Sequence, residues 1–182
     1  EDLSLAIKKL EEGISEINKE GRNRSRSSFD QVNDNFKKIF TKLFNGGNAE
    51  LKLIGSDDPL QSGLEIFASP PEKIMQSLSL LSGGEQALTS ISLIFAVYLS
   101  NPSPLCILDE VDAALDDTNV GRFCDILKYL SDEHDISFLI VTHHRLTMAK
   151  MNKLLGVTME EKGISKLLSV DLEKAVEIKE AS

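Results

Sequence analysis

The chain has 182 residues, enough for one domain with a real core, and its 41% hydrophobic and 27% charged composition is that of a soluble globular protein. The net charge of −9 is uneven: residues 1–45 hold nine Lys/Arg against eight Asp/Glu and the remainder eleven against twenty-one, so an acidic body argues against broad, whole-surface DNA binding. With no Trp and 5% aromatic residues, stacking on exposed bases is not a theme, and no basic-then-apolar leader supports secretion.

The first residue is Glu rather than Met, so the chain reads as an excised or processed piece. Leu3, Ile7, Leu10, Ile14 and Ile17 recur at spacings of 4, 3, 4 and 3, which predicts a two-heptad coiled-coil seam. Two heptads are too short to be stable alone, so the partner strand is expected outside these residues. The pattern fails at Gly21, inside the polar run 18–28, where a break is predicted. Arg22, Arg24 and Arg26 in that run read as the solvated surface of the break, the alternative being a local nucleic-acid contact. A second pattern, Phe29, Val32, Phe36, Ile39 and Leu43, predicts a helix docking into a globular body. Residues 1–45 are thus expected to form a coiled-coil stub and docking helix, and residues 46–182 the body.

Asn45-Gly46-Gly47-Asn48 supplies left-handed turn chemistry to end the helix. Strands over 49–54 and 63–68, separated by a turn-rich stretch, are expected to pair as a hairpin. After Gly84 a helix to about residue 100 is apolar on nearly all sides and belongs inside a domain. Its apolar run 91–99 is far short of the roughly 20 residues of a membrane span. Residues 105–108 and 136–141 are short apolar runs, as expected of parallel strands covered on both faces. An amphipathic helix over 118–132 joins them into a β-α-β unit, and strand-like stretches at 154–158 and 165–170 close the body. Cys106 and Cys124 read as small core residues in a reducing compartment, with the cytoplasm as default, and no Cys/His spacing suits zinc.

Chemistry concentrates at four places. Ser82-Gly83-Gly84-Glu85 precedes the apolar helix; the glycines admit close backbone approach, and free N–H groups at a helix start attract phosphate. Read alone, Ser-x-x-Glu is equally a capping box, and both readings can hold together. The strand 105–108 ends in Asp109-Glu110, where an Asp can hold Mg²⁺ and a Glu can polarise an attacking water; two solvated loop acids are the alternative. Asp116 by itself is a helix N-cap, and His143, ending the next strand, falls near Asp109 if the strands are parallel.

In this order the motifs resemble the C-terminal half of an ABC-type ATPase. Leu78-Ser79-Leu80-Leu81-Ser82-Gly83-Gly84-Glu85-Gln86-Ala87-Leu88-Thr89, Leu108-Asp109-Glu110-Val111-Asp112-Ala113-Ala114-Leu115-Asp116-Asp117 and Gly156-Val157-Thr158-Met159-Glu160-Glu161 look like the SMC (structural maintenance of chromosomes) family, bacterial condensin type. The resemblance spans nearly the whole chain. It implies an α/β fold: an ABC-ATPase-like C-terminal lobe, a parallel sheet with flanking helices, plus the N-terminal coiled-coil stub. It further implies a signature motif at Ser82, Gly83, Gly84 and Glu85, the Mg²⁺ aspartate at Asp109, the catalytic glutamate at Glu110, the D-loop at Asp116 and the switch histidine at His143. ATP and Mg²⁺ are the implied cofactors. The implied partners are the chain's own N-terminal head half, a second head, a kleisin-type subunit and DNA through the complete complex, with no membrane, in the cytoplasm at the nucleoid. Gln86, Ala114 and His144 depart from residues frequent in the family, and the adjacent His144 weakens the choice of His143.

No Gly-x-x-x-x-Gly-Lys occurs, nor any Gly-Lys pair, so the cradle for β- and γ-phosphates is absent from these residues. The 182 residues alone are therefore expected neither to bind ATP tightly nor to hydrolyse it. Rival readings are another coiled-coil ATPase of DNA repair or recombination, a transporter-type domain, which would lack the heptad arm, and a docking module for the N-terminal half and kleisin.

Overall fold

In the computed structural model, which describes residues 2–56, 58–161 and 163–171, one helix, α1 (Asp2–Phe44), runs through both helical patterns without a break. The break expected over 18–28 is not there, and the reason is energetic. An interior Gly costs only about 1 kcal/mol relative to Ala, and ties within the helix and to the loop after β1 accompany the continuous helix. Arg24 pairs with Glu20 one turn back at 2.6 Å. Arg22 forks onto Asp58, with Nε donating to Oδ1 at 3.0 Å and Nη2 to Oδ2 at 2.9 Å, which holds the Asp58 carboxyl below its ordinary range. The change of phase between Ile17 and Phe29 is a rotation of the apolar stripe by about 120° at 3.6 residues per turn, not an interruption. The first stripe, Leu3 to Ile17, is exposed. The second faces the core.

That core forms where the last turns of α1 meet β1 (Asn48–Ile54), α2 (Gly83–Ser100) and α3 (Asp117–His134). Phe36, Phe40 and Phe44 line one face of α1 at i, i+4 spacing, with ring centroids 6.2 and 4.3 Å apart along the series. They pack with Leu88, Ile91 and Phe95 of α2 and Val120, Phe123 and Leu127 of α3, all buried. Cys124 lies in this cluster and Cys106 against it. Gly46 N–H donates to Thr41 O at 2.9 Å to close the helix, and Gly47 (φ +75°) follows in the left-handed region. A Cβ at Gly47 would lie 2.3 Å from Ser69 O, so no other residue fits there. The hairpin is as expected: β1 pairs antiparallel with β2 (Gly63–Ser69), and a short β3 (Gln76–Ser77) extends it.

A single 3₁₀ turn (Leu78–Leu80) leads into α2. Beyond α2, β4 (Leu105–Asp109) and β5 (Ser137–Val141) pair in parallel, with α3 as the crossover. After the short α4 (Arg145–Ala149), β6 (Lys153–Glu161) and β7 (Ile164–Asp171) form an antiparallel hairpin. Residues 172–182 of the expected body lie outside the described residues. The expectation that β4 and β5 are covered on both faces is not met. Leu108 is buried against the core, but Leu105, Ile107, Leu139 and Val141 on the opposite face are exposed. The all-round apolar α2 likewise leaves Ile94 and Val97 exposed, each 54% accessible. These faces stay open to solvent, although their composition is that of an interior. No described helix is long and apolar enough to cross a membrane.

Because Phe40 is fully buried between two aromatic neighbours, Phe40→Ala in a complete head should lose about 3–5 kcal/mol. Denaturant unfolding measures this, and a loss under about 1 kcal/mol would mean that the α1 face is not part of the core.

Candidate functional site

The β4–β5 register, with Asp109 opposite Val141, brings two strand ends to one edge. Glu110 follows with φ +49°, a left-handed conformation unusual for Glu, and its N–H donates to Val141 O at 2.9 Å. That twist turns the Glu110 carboxylate toward the loop after β5, where His143 Nδ1 lies 3.6 Å from Glu110 Oε1. Both side chains are exposed, and so is Asp109. His144 differs from its neighbour: it is largely covered, its N–H donates to Thr142 Oγ1 at 2.9 Å and its Nε2 lies 3.6 Å from Asp117. Of the two histidines only His143 reaches Glu110.

A second group forms where the start of α2 meets the start of α3. Ser82 and Glu85 make the capping box read from the sequence. Glu85 Oε2 accepts from Ser82 N–H at 3.0 Å and from the Ser82 hydroxyl at 2.9 Å. Lys73 Nζ donates to both Glu85 oxygens at 2.8 and 3.0 Å. Partial burial disfavours the Glu85 anion, but Lys73 and the two Ser82 donors outweigh it and hold the carboxyl below its ordinary range. Asp116 caps α3 by accepting from Asn119 N–H at 2.8 Å, while Asn119 Nδ2 also reaches Asp116 Oδ2 at 3.3 Å.

The two glycines are not equivalent. A Cβ at Gly84 would stand 2.8 Å from Asn119 Nδ2, so the α2 start is seated directly on the Asp116 cap. A Cβ at Gly83 would meet nothing within 4 Å, which leaves the outer side of the loop open. The residues singled out from the sequence thus gather in two groups, Glu110 with His143 and Gly84 with Asp116, joined by the 110–116 loop. Lys73, Asn119 and the buried Asp112 were not legible beforehand. Lys73 lies twelve residues from Glu85 across an irregular turn, and only the Asn at the third position of α3 hinted at a cap.

A family model described as the RecF/RecN/SMC N terminal domain matches residues 5–166. The chromosome partition protein Smc of Rhodopseudomonas palustris is 62% identical over 178 residues, 98% of this chain but 15% of that protein, so the chain spans a small part of the curated relatives it matches. A solved Smc head domain with an extended coiled coil, bound to the C-terminal domain of ScpA and derived from Pyrococcus furiosus, matches 99% of this chain and 44% of its own at 40% identity and TM-score 0.79. A further structure, from work on ATP-driven dimerization and DNA-stimulated activation of SMC ATPases, matches 88% of this chain and 96% of its own at 39% identity and TM-score 0.73.

A lowered carboxylate range stabilises the fold above the unfolded pKa, and the contribution is lost as pH falls through the folded value. Lys73→Met should therefore raise the Glu85 carboxyl toward its ordinary range and move the acid loss of α2 start stability to higher pH. Carboxyl-carbon NMR titration measures it; an unmoved Glu85 midpoint means that the Lys73 contact does not persist in solution.

Proposed function

We propose a role on one premise: the chain belongs to the RecF/RecN/SMC family. It is the C-terminal part of an SMC ATPase head and contributes signature loop, Walker B acids, D-loop and switch histidine to ATP-driven head engagement in chromosome partition. The observation that carries this is motif order on the fold: Ser82–Glu85 at the start of α2, Asp109-Glu110 at the end of β4, Asp116 capping α3 and His143 after β5, with no Gly-Lys pair in the sequence. The family description names an N-terminal domain; the C-terminal placement rests on this order instead.

In this reading two complete heads sandwich two nucleotides. The open side of Gly83 leaves room for a γ-phosphate held by the second head, and the Ser82 hydroxyl, which donates to Glu85 in this structure, turns outward to meet it. Glu110 polarises the attacking water, and His143 beside it hydrogen-bonds the water or the phosphate. The Asp109-Glu110 pair fits Mg²⁺, which takes one or two carboxylates together with substrate phosphates, and Asp109 is the residue to hold it. Bound there, the ion would neutralise phosphate charge. Hydrolysis then releases the heads.

The exposed apolar face of β4–β5 supports docking of the N-terminal half, which brings the missing phosphate cradle. A second head and a kleisin-type subunit complete the assembly, which meets DNA as a whole in the cytoplasm, at the nucleoid. The recorded Pyrococcus furiosus head with ScpA supports the kleisin.

The 182 residues alone should show no ATP turnover, and adding the separately purified N-terminal half should restore it. No restoration in a mixture that forms the complex would leave a docking module instead. In a complete head, Glu110→Gln should lower turnover by about 10²-fold or more and trap ATP-bound dimers, detectable by light scattering. Ser82→Arg should abolish those dimers while leaving ATP binding to single heads intact. Unchanged turnover in Glu110→Gln would remove Glu110 from its role.

A further inference from the structure

Asp112 has no part in the chemistry above, yet it is the one acidic side chain among the buried described residues, 1% accessible. Its Oδ2 accepts from the Thr142 hydroxyl at 2.6 Å and from the Thr147 hydroxyl of α4, itself fully buried. No Lys, Arg or His ion pair to it is formed among the described residues. A buried carboxylate held among the described residues by two hydroxyls costs free energy that an apolar residue of similar size would avoid, and what it supplies in return is orientation of its donors.

The geometry shows what is oriented. Thr142 precedes His143, and its Oγ1, while donating to Asp112, accepts the N–H of His144 at 2.9 Å. The residues on either side of His143 are therefore fixed, one by Asp112 directly and the other through Thr142. Asp112 also lies within the tight turn that begins at Glu110: Ala113 N–H donates to Glu110 O at 3.1 Å, and the Asp112 carbonyl accepts from Leu115 N–H at 3.0 Å. One buried residue thus joins the loop carrying Glu110 to the loop carrying His143, and the two exposed side chains end 3.6 Å apart.

We propose that Asp112 is a positioning residue for ATP hydrolysis, holding His143 in register with Glu110 through its hydrogen bond to Thr142. This rests on the reading of Glu110 and His143 as the catalytic pair. Asp112 is buried behind the exposed Glu110 and His143 side chains. Its effect is on where the imidazole stands, and misplacement by about 1 Å can cost on the order of 10²-fold in rate.

The test is steady-state ATP hydrolysis by the full-length protein in four forms: wild type, Asp112→Ala, His143→Ala and the double variant. Asp112→Ala is expected to lose roughly ten- to hundredfold in kcat with KM for ATP unchanged within about twofold. In the His143→Ala background the same change should cost no more than about twofold, since the group being positioned is gone. Equal losses in both backgrounds, or an undiminished kcat in Asp112→Ala, would overturn the proposal. Wild-type kcat in His143→Ala would sink it differently, by showing that the catalytic reading of His143 is wrong. Should Asp112→Ala fail to fold, Thr142→Val serves in the same four-way comparison, because it removes the hydroxyl at nearly constant volume. Thr142→Ser, which keeps the hydroxyl, should retain kcat; a loss in Thr142→Ser equal to that in Thr142→Val would also count against the hydrogen bond.

Discussion

The parallel pairing of β4 with β5 sets the position of every polar group at this end of the molecule. With Asp109 opposite Val141, one strand delivers two acids and the other a histidine to the same edge. A slip of β4 by one residue would turn Leu108 out of the core and exchange the faces of that strand, so burial of Leu108 and the packing of Phe138 against Phe95, centroids 6.1 Å apart, hold the register. The left-handed Glu110 then takes its side chain out of the sheet direction, and Glu110 N–H to Val141 O is the last bond of the ladder. Strain at this residue and buried order at Asp112 lie two positions apart. The chain is bent where a side chain is presented and tied down immediately behind it.

The start of α2 shows how a structural cap and a ligand-facing loop coexist in four residues. Glu85 collects the N–H and hydroxyl of Ser82 together with Lys73, which satisfies helix donors and anchors the preceding turn. Gly84 is spent on close packing against Asn119, whereas Gly83 faces open space. The same Gly-Gly pair thus contributes one contact inward and one opening outward, and α2 cannot shift without disturbing the Asp116 cap.

Several faces of the chain have interior composition and yet are open to solvent: the α1 seam from Leu3 to Ile17, the outer face of β4–β5, and Ile94 with Val97 on α2. The sheet face and the α2 face lie on elements whose other side is packed in the core, whereas the α1 seam precedes the part of the helix that enters it. The α1 seam has the heptad repeat of a helix pair, the β4–β5 face the continuous apolar run of covered strands, and Ile94 with Val97 the i, i+3 spacing of one helix face.

Periodicity alone determined much of this. The heptads of α1, the hairpin, the long apolar α2 and the β-α-β unit were legible because each is a local pattern of apolar residues matched to a helix or strand period. Ser82–Glu85 and Asp109-Glu110 were legible as candidate residues too, since glycines before a helix and acids at a strand end are short-range signals, whereas Asp116 and His143 drew their roles from the family resemblance. The tertiary structure decided the rest. Gly21 and the polar run 18–28 looked like a break because propensity is local, while the ties that keep α1 continuous include Arg22 to Asp58, 36 residues away. The strands β4 and β5 looked fully buried because sequence records which residues avoid water but not which neighbours are present. Asp112, given no role of its own from the sequence, became a buried link to Thr142 and Thr147, 30 and 35 residues on, because only folding brings those hydroxyls within reach of its carboxylate.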